Sequence, residues 1–486
     1  MLLEPLYKNA STVPEKIATS DEKLSLSFGA LASMSTALSE LIKASTQKQN
    51  VGIVLPTSSI FAGAFYATLL AGKTPTPINF LLSPAQVGHI IQDAQLDLIL
   101  SVTPLAEKLQ FPGVRVIDLA SLPKPTAPTA LPSMASIDPK QTAALLYTSA
   151  TTGMPKGVPL THENLSTCVD GCIEQVFRGG QHSFLGMVPL FHSLGLTATL
   201  LTPMRLAMPV NFQARFSPVG TIQVLREKKP TIVIGIPSMF KAMLMAKSAQ
   251  AEDFTSIYAA VCGGEALPSN VRDEFKNRFN VNLMEGYGLT ETCGPIAVNT
   301  PDQYVAGSVG RPLPGARVNI VNDEGKPVPS GAEGHVLLGG SMVIDHYRNL
   351  PDADRDAFVD GYFRSGDLGR IDANGFLFIT GRSKELIIVG GEKLHPREVE
   401  EMLLEHPTVA DVAIVGRKDE SRGEAVVAFV VVREGQTLDA NKLREFLRER
   451  GLPGWKSPRE VVAIDELPRS PTGKVLRREL ANLPVS

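Results

Sequence analysis

Tyr147-Thr-Ser-Ala-Thr-Thr-Gly-Met-Pro-Lys-Gly157 is the stretch on which the reading of the fold turns. Four hydroxyl residues stand within five positions, Gly153 comes next, and Lys156 ends the run. Hydroxyls and free backbone N–H groups wrap phosphate oxygens, glycine permits close approach, and an ammonium neutralises charge. A solvated Ser/Thr turn is the plain alternative. The apolar run Ala143–Thr148 in front and Gly-x-x-Lys-Gly behind favour an anion cradle at the end of a strand. Gly72-Lys73-Thr74 imitates the end of a different phosphate loop, but Ala67 stands where its first glycine is required.

Working outward, short apolar runs bounded by turn residues alternate with helical patterns. They are Val51–Leu55, Leu96–Val102, Ala143–Thr148, Phe184–Val188, Thr231–Ile236 and Ile257–Cys262. Such alternation predicts an α/β fold of layered, mostly parallel sheets. Val51 to Gly72 carries no charge, yet Pro56, Thr57, Ser58 and Ser59 interrupt it. A buried strand and then a buried helix ending near Leu70 are expected, not a membrane span.

The 486 residues exceed one ordinary core, so two or three domains are expected. A Pro-rich linker runs from Leu122 to Pro132. After about residue 300, Gly- and Asp-rich turns such as Asn322–Gly325 and Asp372–Gly375 punctuate short strands, which reads as a small β-rich subdomain over about 300–380. From Gly381 to Ser486, 36 of 106 residues are charged, against 61 of the preceding 380. The boundaries expected are therefore 1–380 for a large N-terminal domain and 381–486 for a small, mobile α+β module. No internal repeat is visible.

Composition excludes several classes. Hydrophobic residues make up 43%, charged residues 20%, and the net charge is −3, which offers no nucleic-acid footprint and no polybasic anchor. The first residues lack a basic segment and a long apolar run, so no signal peptide is expected. Cys168, Cys172, Cys262 and Cys293 form no C-x-x-C pair, and buried thiols in a reducing cytoplasm are a better reading than a metal site beside His162.

Further motifs come after the loop in order. They are Pro189-Leu-Phe-His-Ser-Leu-Gly195, Gly263-Gly-Glu-Ala266, Gly286-Tyr-Gly-Leu-Thr-Glu-Thr292 and Arg364-Ser-Gly-Asp-Leu-Gly369. Then come Gly381-Arg-Ser-Lys-Glu385, Gly390-Gly-Glu-Lys-Leu-His-Pro396 and Pro471-Thr-Gly-Lys474. Together, over nearly the whole chain, they resemble the adenylate-forming superfamily of acyl-CoA synthetases, aryl-CoA ligases, firefly luciferase and peptide-synthetase adenylation domains.

The resemblance implies a role for each matched residue. Thr148, Ser149, Thr151, Thr152, Gly153 and Lys156 would cradle the ATP phosphates. Thr290 would touch the α-phosphate and Glu291 would hold Mg²⁺, a hard cation suited to oxygen ligands. Gly264, Glu265, Ala266 and Tyr287, with Gly288, would line the adenine. Asp367 would accept the ribose hydroxyls beside Arg382. Lys474 would bridge carboxylate and ribose-phosphate in the first half-reaction. Rotation about a hinge at Lys384 would then bring Gly390 and Gly391 to the thiol tunnel. Plain alternatives exist: Thr290-Glu291 as a capping pair, Asp367 as the closer of an Asp-turn.

Two positions depart from the pattern. Ala150 stands where the family usually has glycine, at a strain of ~1 kcal/mol if the position needs a positive φ. Ile388 stands where some relatives carry a lysine for the second half-reaction.

For substrate, His192 occupies the position at which amino-acid-activating relatives place an aspartate, which argues for a carboxylic acid without an α-amine. The segments Gly186–Leu206, Gly235–Leu244 and Cys262–Gly264 are apolar, with many Met, Leu and Gly. A flexible acyl tail suits such a lining, so a medium- or long-chain fatty acid is expected, with coenzyme A or carrier-protein phosphopantetheine as acceptor. A fatty acyl–acyl carrier protein ligase or an aryl- or short-chain acyl-CoA synthetase is the alternative, and a luciferase-like oxidising relative and a non-enzymatic acyl- or nucleotide-binding relative are the other classes. Peripheral membrane contact and an acyl carrier protein partner are compatible with the resemblance.

Overall fold

The computed structural model describes residues 1–122, 136–148, 154–177, 179–469 and 474–483. Most of the Pro-rich linker, the cradle residues Ser149, Ala150, Thr151, Thr152 and Gly153, and residues 470–473 ahead of Lys474 lie outside them.

Two compact units divide the chain. The first comprises Met1–Leu267, Glu274–Val318 and Leu338–Phe363; the second comprises Pro268–Asp273, Asn319–Leu337 and Arg364–Ser486. The charge density changes at Gly381, but Arg364–Thr380 clusters with the C-terminal residues. The reason is pairing: strand Leu377–Arg382 runs antiparallel to Tyr362–Ile371, with Asp367 opposite Arg382.

In the first unit each apolar run forms a strand, among them Asn50–Val54, Leu98–Ser101, Thr142–Tyr147 and Phe184–Gly186. The uncharged stretch folds as strand Asn50–Val54 and helix Ser59–Leu70, whose N-cap Ser58 accepts the Phe61 N–H. That helix is apolar on nearly every face because it is buried on nearly every face. It packs on helix Phe28–Ser45, and a Cβ at Gly63 would lie 2.8 Å from Met34 Cε, so glycine sets how closely the helices approach. Among the described residues no helix is long and apolar enough to cross a membrane. Gly72-Lys73-Thr74 leads from this helix into strand Thr74–Pro77, the reverse of the strand-to-helix order that a phosphate loop needs.

Two sheets carry the unit. One has four parallel strands in the order Thr74–Pro77, Asn50–Val54, Leu98–Ser101, Arg115–Asp118. The other has nine. Its centre, from Leu283–Leu289 through Ala259–Cys262, Ile232–Gly235, Phe184–Gly186 and Val210–Phe212 to Ile17–Ser20, is parallel throughout. Antiparallel strands Gly294–Val298, Arg311–Pro312 and Ser25–Ser27 close its edges. A separate hairpin pairs Thr142–Tyr147 with Gly157–Thr161, and helix His162–Gln175 starts on a Thr161–Asn164 capping box.

All four cysteines are free and buried, and among the described residues no group of three or more His, Cys, Asp and Glu is arranged to hold a metal. Cys168 donates to the Pro295 carbonyl at 3.3 Å. The neighbouring Cys172 thiol and burial both push the Cys168 pKa up, so it behaves as a packing residue.

The second unit is built on the long antiparallel pair Val409–Asp419 and Gly423–Val432. Helices Pro396–Leu404 and Ala440–Glu449 share one core with it, including Leu403, Val412, Val430 and Leu447. On the other side Leu467 and Leu480 pack with Phe429 and Val415. Arg477 ties the module together. Its Nη2 donates to Glu400 Oε2 at 3.0 Å and its Nε to Glu385 Oε2 at 3.1 Å. Burial alone would lower its pKa, but the two carboxylates more than reverse that, so the guanidinium stays charged.

His162 gives the fold a pH signature. It is 3% exposed, and its Nδ1 has no partner among the described residues. Burial, with a smaller push from the amino-terminal charge, brings its pKa down to about 4 from 6.5. The folded chain keeps this imidazole neutral while the unfolded chain protonates it, so its contribution is complete above pH 6.5 and lost as pH falls toward 4. The loss reaches about 3 kcal/mol. Denaturant melts at several pH values should show His162→Gln losing less stability than the wild type across that window.

Candidate active site

In an open parallel sheet, ligands bind beyond the carboxyl ends of the strands, where loops diverge. The sequence-predicted residues carried by the nine-stranded sheet obey that rule. His192 comes after strand Phe184–Gly186, Gly264-Glu265-Ala266 after Ala259–Cys262, and Tyr287 through Glu291 at the end of Leu283–Leu289. The turn after Ala259–Cys262 is fixed from below, because the buried Glu285 carboxylate accepts the Leu267 N–H at 3.1 Å. Gly264 has φ +87°, a conformation that glycine enters without strain.

The three segments expected to line an acyl pocket converge. A Cβ at Gly263 would lie 3.4 Å from Leu194 Cδ2, one at Gly264 3.4 Å from Ile236 Cγ2, and one at Gly235 3.1 Å from Met187 Cε. Past half-buried His192 the chain winds into a π-helical stretch, Leu196–Leu201, that is wholly buried. Thr197 Oγ1 donates to the Cys293 carbonyl at 2.5 Å, which ties this stretch to the Thr290–Thr292 turn.

That turn is one of 3₁₀ type, and it is closed by Thr292, whose hydroxyl accepts the Leu289 N–H at 2.8 Å. The capping alternative for Thr290 and Glu291 is thereby excluded, since neither side chain closes the turn. Glu291 is buried, and its Oε1 accepts the Tyr347 hydroxyl at 2.6 Å. Among the described residues its Oε2 takes no hydrogen bond. Lys156 Nζ lies 4.8 Å from the centre of the same tyrosine ring. Burial, then the charge and hydrogen bond of Glu291, hold the Tyr347 phenol far above its ordinary pKa, so it is a donor.

The Thr/Ser-rich loop is gripped at both ends. Thr148 N donates to the Lys156 carbonyl at 3.0 Å, and Lys156 N donates to Thr148 Oγ1 at 3.2 Å. Asp93 then binds the neck to a distant segment. It accepts Tyr147 Oη at 2.6 Å and Asn349 Nδ2 at 3.0 Å, with Arg348 Nε 3.6 Å from its carboxylate. Arg348 N also donates to the Gly157 carbonyl at 2.8 Å. Tyr347, Arg348, Asn349 and Asp93 are the residues that sequence reasoning missed. Asp345-His-Tyr-Arg-Asn349 carries no periodicity or turn signal that sets it apart.

In the second unit Asp367 is 3% exposed and its Oδ1 meets Arg382 Nε at 2.9 Å. It lies in a strand directly opposite Arg382. Ser383–Glu385, with Lys384, forms a short 3₁₀ turn just beyond. Gly390 and Gly391, at φ +63° and +89°, make a two-residue hairpin between Ile387–Val389 and Glu392–Leu394. Two positive φ values in succession mark the primed turn that glycine favours. Half-buried Lys474 stands three residues before the Arg477 clamp.

Comparison with known proteins gives the family. The family described as AMP-binding enzyme matches residues 6–348, and the AMP-binding enzyme C-terminal domain matches residues 398–474. Sulfoacetate–CoA ligase of Cupriavidus necator is 35% identical over 97% of this chain and 96% of its own. Long-chain-fatty-acid–CoA ligase of Bacillus subtilis is 30% identical over 98% and 93%. The solved structure of o-succinylbenzoate CoA synthetase from Bacillus subtilis, with its acyl-adenylate intermediate, superposes with a TM-score of 0.88 at 28% identity, covering 99% of this chain and 98% of that one. The chain belongs to the AMP-binding enzyme family, the adenylate-forming ligases. It is an AMP-forming acid–thiol ligase, a class for which ATP, Mg²⁺ and coenzyme A are expected.

The residues present fit those groups. A buried carboxylate with one oxygen held by a phenol and the other open suits a hard divalent cation that takes its remaining ligands from phosphates and water. Geometry also dictates Gly288, because a Cβ there would lie 1.8 Å from the Gly294 carbonyl oxygen. Gly288→Ala should prise apart the strands on either side of the Thr290–Thr292 turn and cost about 1–3 kcal/mol of stability. Pyrophosphate release should fall at least tenfold, since Thr290 and Glu291 move with the turn. A thermal melt alongside the assay checks both.

Proposed function

We propose that this ligase joins a carboxylic acid to AMP and then passes the acyl group to the thiol of coenzyme A, and that the acid is a medium- or long-chain fatty acid. The observation that carries the first half-reaction is Glu291, beyond the end of strand Leu283–Leu289, and Lys156, from the separate hairpin, brought to the two sides of Tyr347. A carboxylate oxygen attacks the α-phosphorus and pyrophosphate leaves. The thiol sulfur then attacks the acyl carbon, AMP leaves with the bonding electron pair, and the thiol proton passes to solvent. Mg²⁺, when bound at Glu291, supplies neutralisation of phosphate charge.

The chain's own residues do the positioning. Thr148, Ser149, Thr151, Thr152, Gly153 and Lys156 hold phosphate oxygens, and Thr290 touches the α-phosphate. Gly264, Glu265, Ala266, Tyr287 and Gly288 line the adenine. Asp367, kept in place by Arg382, accepts the ribose hydroxyls. Lys474 brings an ammonium to the carboxylate–phosphate junction, and a hinge at Lys384 exchanges it for Gly390-Gly391. Carrier-protein phosphopantetheine is the alternative acceptor. Free, buried cysteines suit a reducing compartment, and a cytoplasmic location is part of the same proposal.

Support for a fatty acid comes from Met187, Leu194, Ile236 and Phe240 meeting around glycines, which leaves the lining apolar. A short anionic acid is the second reading, favoured by the 35% identity to a sulfoacetate–CoA ligase. Pyrophosphate release with ATP, Mg²⁺ and coenzyme A across acetate, sulfoacetate, octanoate, palmitate and phenylacetate decides between them. The first reading requires the highest kcat/KM with octanoate or palmitate.

Lys474→Ala tests the alternation. Loss of a charge-assisted contact at the reacting phosphate costs ~3 kcal/mol, a fall on the order of a hundredfold. The variant should therefore fail with free acid plus ATP, yet convert a supplied acyl-adenylate plus coenzyme A at a near-normal rate. Equal loss in both half-reactions, with an unchanged circular dichroism spectrum, would rule alternation out.

A further inference from the structure

Lys156 and Glu291 flank one phenol, yet among the described residues Lys156 makes no ion pair. Opposite charges on long side chains that approach the same residue from two sides gain from a direct pair, because it satisfies both. Here Tyr347 stands between them. Its hydroxyl donates to Glu291 Oε1 at 2.6 Å, and its ring lies 4.8 Å from Lys156 Nζ.

Everything about Tyr347 is fixed. Its backbone N–H donates to Asp354 Oδ1 at 2.7 Å. Its ring meets Phe358 and Phe363 at centroid distances of 6.3 and 6.4 Å, and those two rings meet each other at 5.5 Å. The next two residues bind the loop neck through the Gly157 carbonyl and Asp93. One short segment thus sets the position of Glu291, Lys156 and both ends of the cradle.

We propose that Tyr347 is the positioning residue of the adenylation half-reaction: it anchors one oxygen of Glu291 so that the other faces the metal, and keeps the carboxylate from pairing with Lys156. The inference rests on the reading of Glu291 as the Mg²⁺ ligand. A phenol donating to the oxygen that does not bind metal is the outer-shell arrangement by which proteins orient a ligating carboxylate. The aromatic face gives Lys156 a weak resting contact that incoming phosphate oxygens displace.

Tyr347→Phe keeps the ring and removes only the hydroxyl. Loss of an outer-shell partner typically lowers metal affinity about 10–100-fold. Two readouts are needed. Binding of Mn²⁺ in the presence of ATP, monitored by loss of the free-ion electron paramagnetic resonance signal, should weaken by about that factor. The Mg²⁺ concentration for half-maximal pyrophosphate release should rise in parallel, and saturating Mg²⁺ should restore kcat to within about threefold. Glu291→Gln, measured the same way, separates the two ideas. If Glu291→Gln weakens Mn²⁺ binding and Tyr347→Phe does not, the positioning role is overturned while the metal reading stands. If Glu291→Gln leaves Mn²⁺ binding unchanged, the metal reading fails and takes the inference with it. A kcat in Tyr347→Phe that stays low at every Mg²⁺ concentration, with metal affinity unaltered, marks a merely structural tyrosine and overturns the proposal. Tyr347→Leu, which also removes the ring, should add a rise in KM for ATP that Tyr347→Phe lacks.

Discussion

Asp93 accepts the Tyr147 hydroxyl and the Asn349 amide and lies 3.6 Å from Arg348 Nε. A carboxylate has acceptor capacity for several donors at once, and one in a largely buried position is costly to leave without them. The helix Pro84–Asp93 ends on this residue, the hairpin carrying the cradle begins to turn beside it, and the segment of residues 347–349 is fastened to it. Three parts of the first unit, far apart in the chain, take their mutual position from it. The Gly157 position shows how tight the junction is. A Cβ there would lie 3.0 Å from Arg348 Cβ and 3.2 Å from Asp93 Oδ2, so any larger residue would have to push these side chains aside.

Around that junction the chemistry divides between elements that are rigid for different reasons. Parallel strands buried on both faces fix where their carboxyl ends stop, and loops that leave those ends bring His192, Gly264 and Thr290 to one edge of the sheet. The Thr290–Thr292 turn is held by Thr292 rather than by the residues that would touch a ligand, which leaves Thr290 and one oxygen of Glu291 uncommitted among the described residues. In the second unit the Asp367–Arg382 pair is formed between neighbouring strands, and Arg477 binds helix Pro396–Leu404 to the Ser383–Glu385 turn. Each unit is thus internally braced by charged groups that have their partners at hydrogen-bond distance, as buried charges require.

Much of this was legible in the sequence. Period, length and turn residues located strands such as Asn50–Val54 and Ile232–Gly235 to within two residues, because a strand buried on both faces must be a short, continuous apolar run. Motif spacing pointed to the loop residues, since a glycine or hydroxyl in a phosphate cradle would be dictated by local geometry. Asp93 and Tyr347 were not legible. Their importance comes from contacts across 54 to 256 residues, and no local pattern records such a partner. The edge of the second compact unit lies ahead of the charge boundary for a related reason. Charge density rises at Gly381, but compactness depends on strand pairing, and Leu377–Arg382 pairs backward with Tyr362–Ile371.

The separation between Glu291 and Tyr347, 56 residues, also has a meaning in time. During synthesis a chain grows by about 5–20 residues per second, so the carboxylate leaves the ribosome several seconds before its phenol. Asp93 waits longer still, since its partner Asn349 lies 256 residues further on. Strands of the nine-stranded sheet can pair while the later segment is still being made, but the neck of the cradle has no anchor until that segment arrives. Assembly of the first unit therefore ends where its chemistry begins. A nascent chain truncated before Tyr347 would carry a nearly complete sheet with Lys156 and Glu291 still free to find each other.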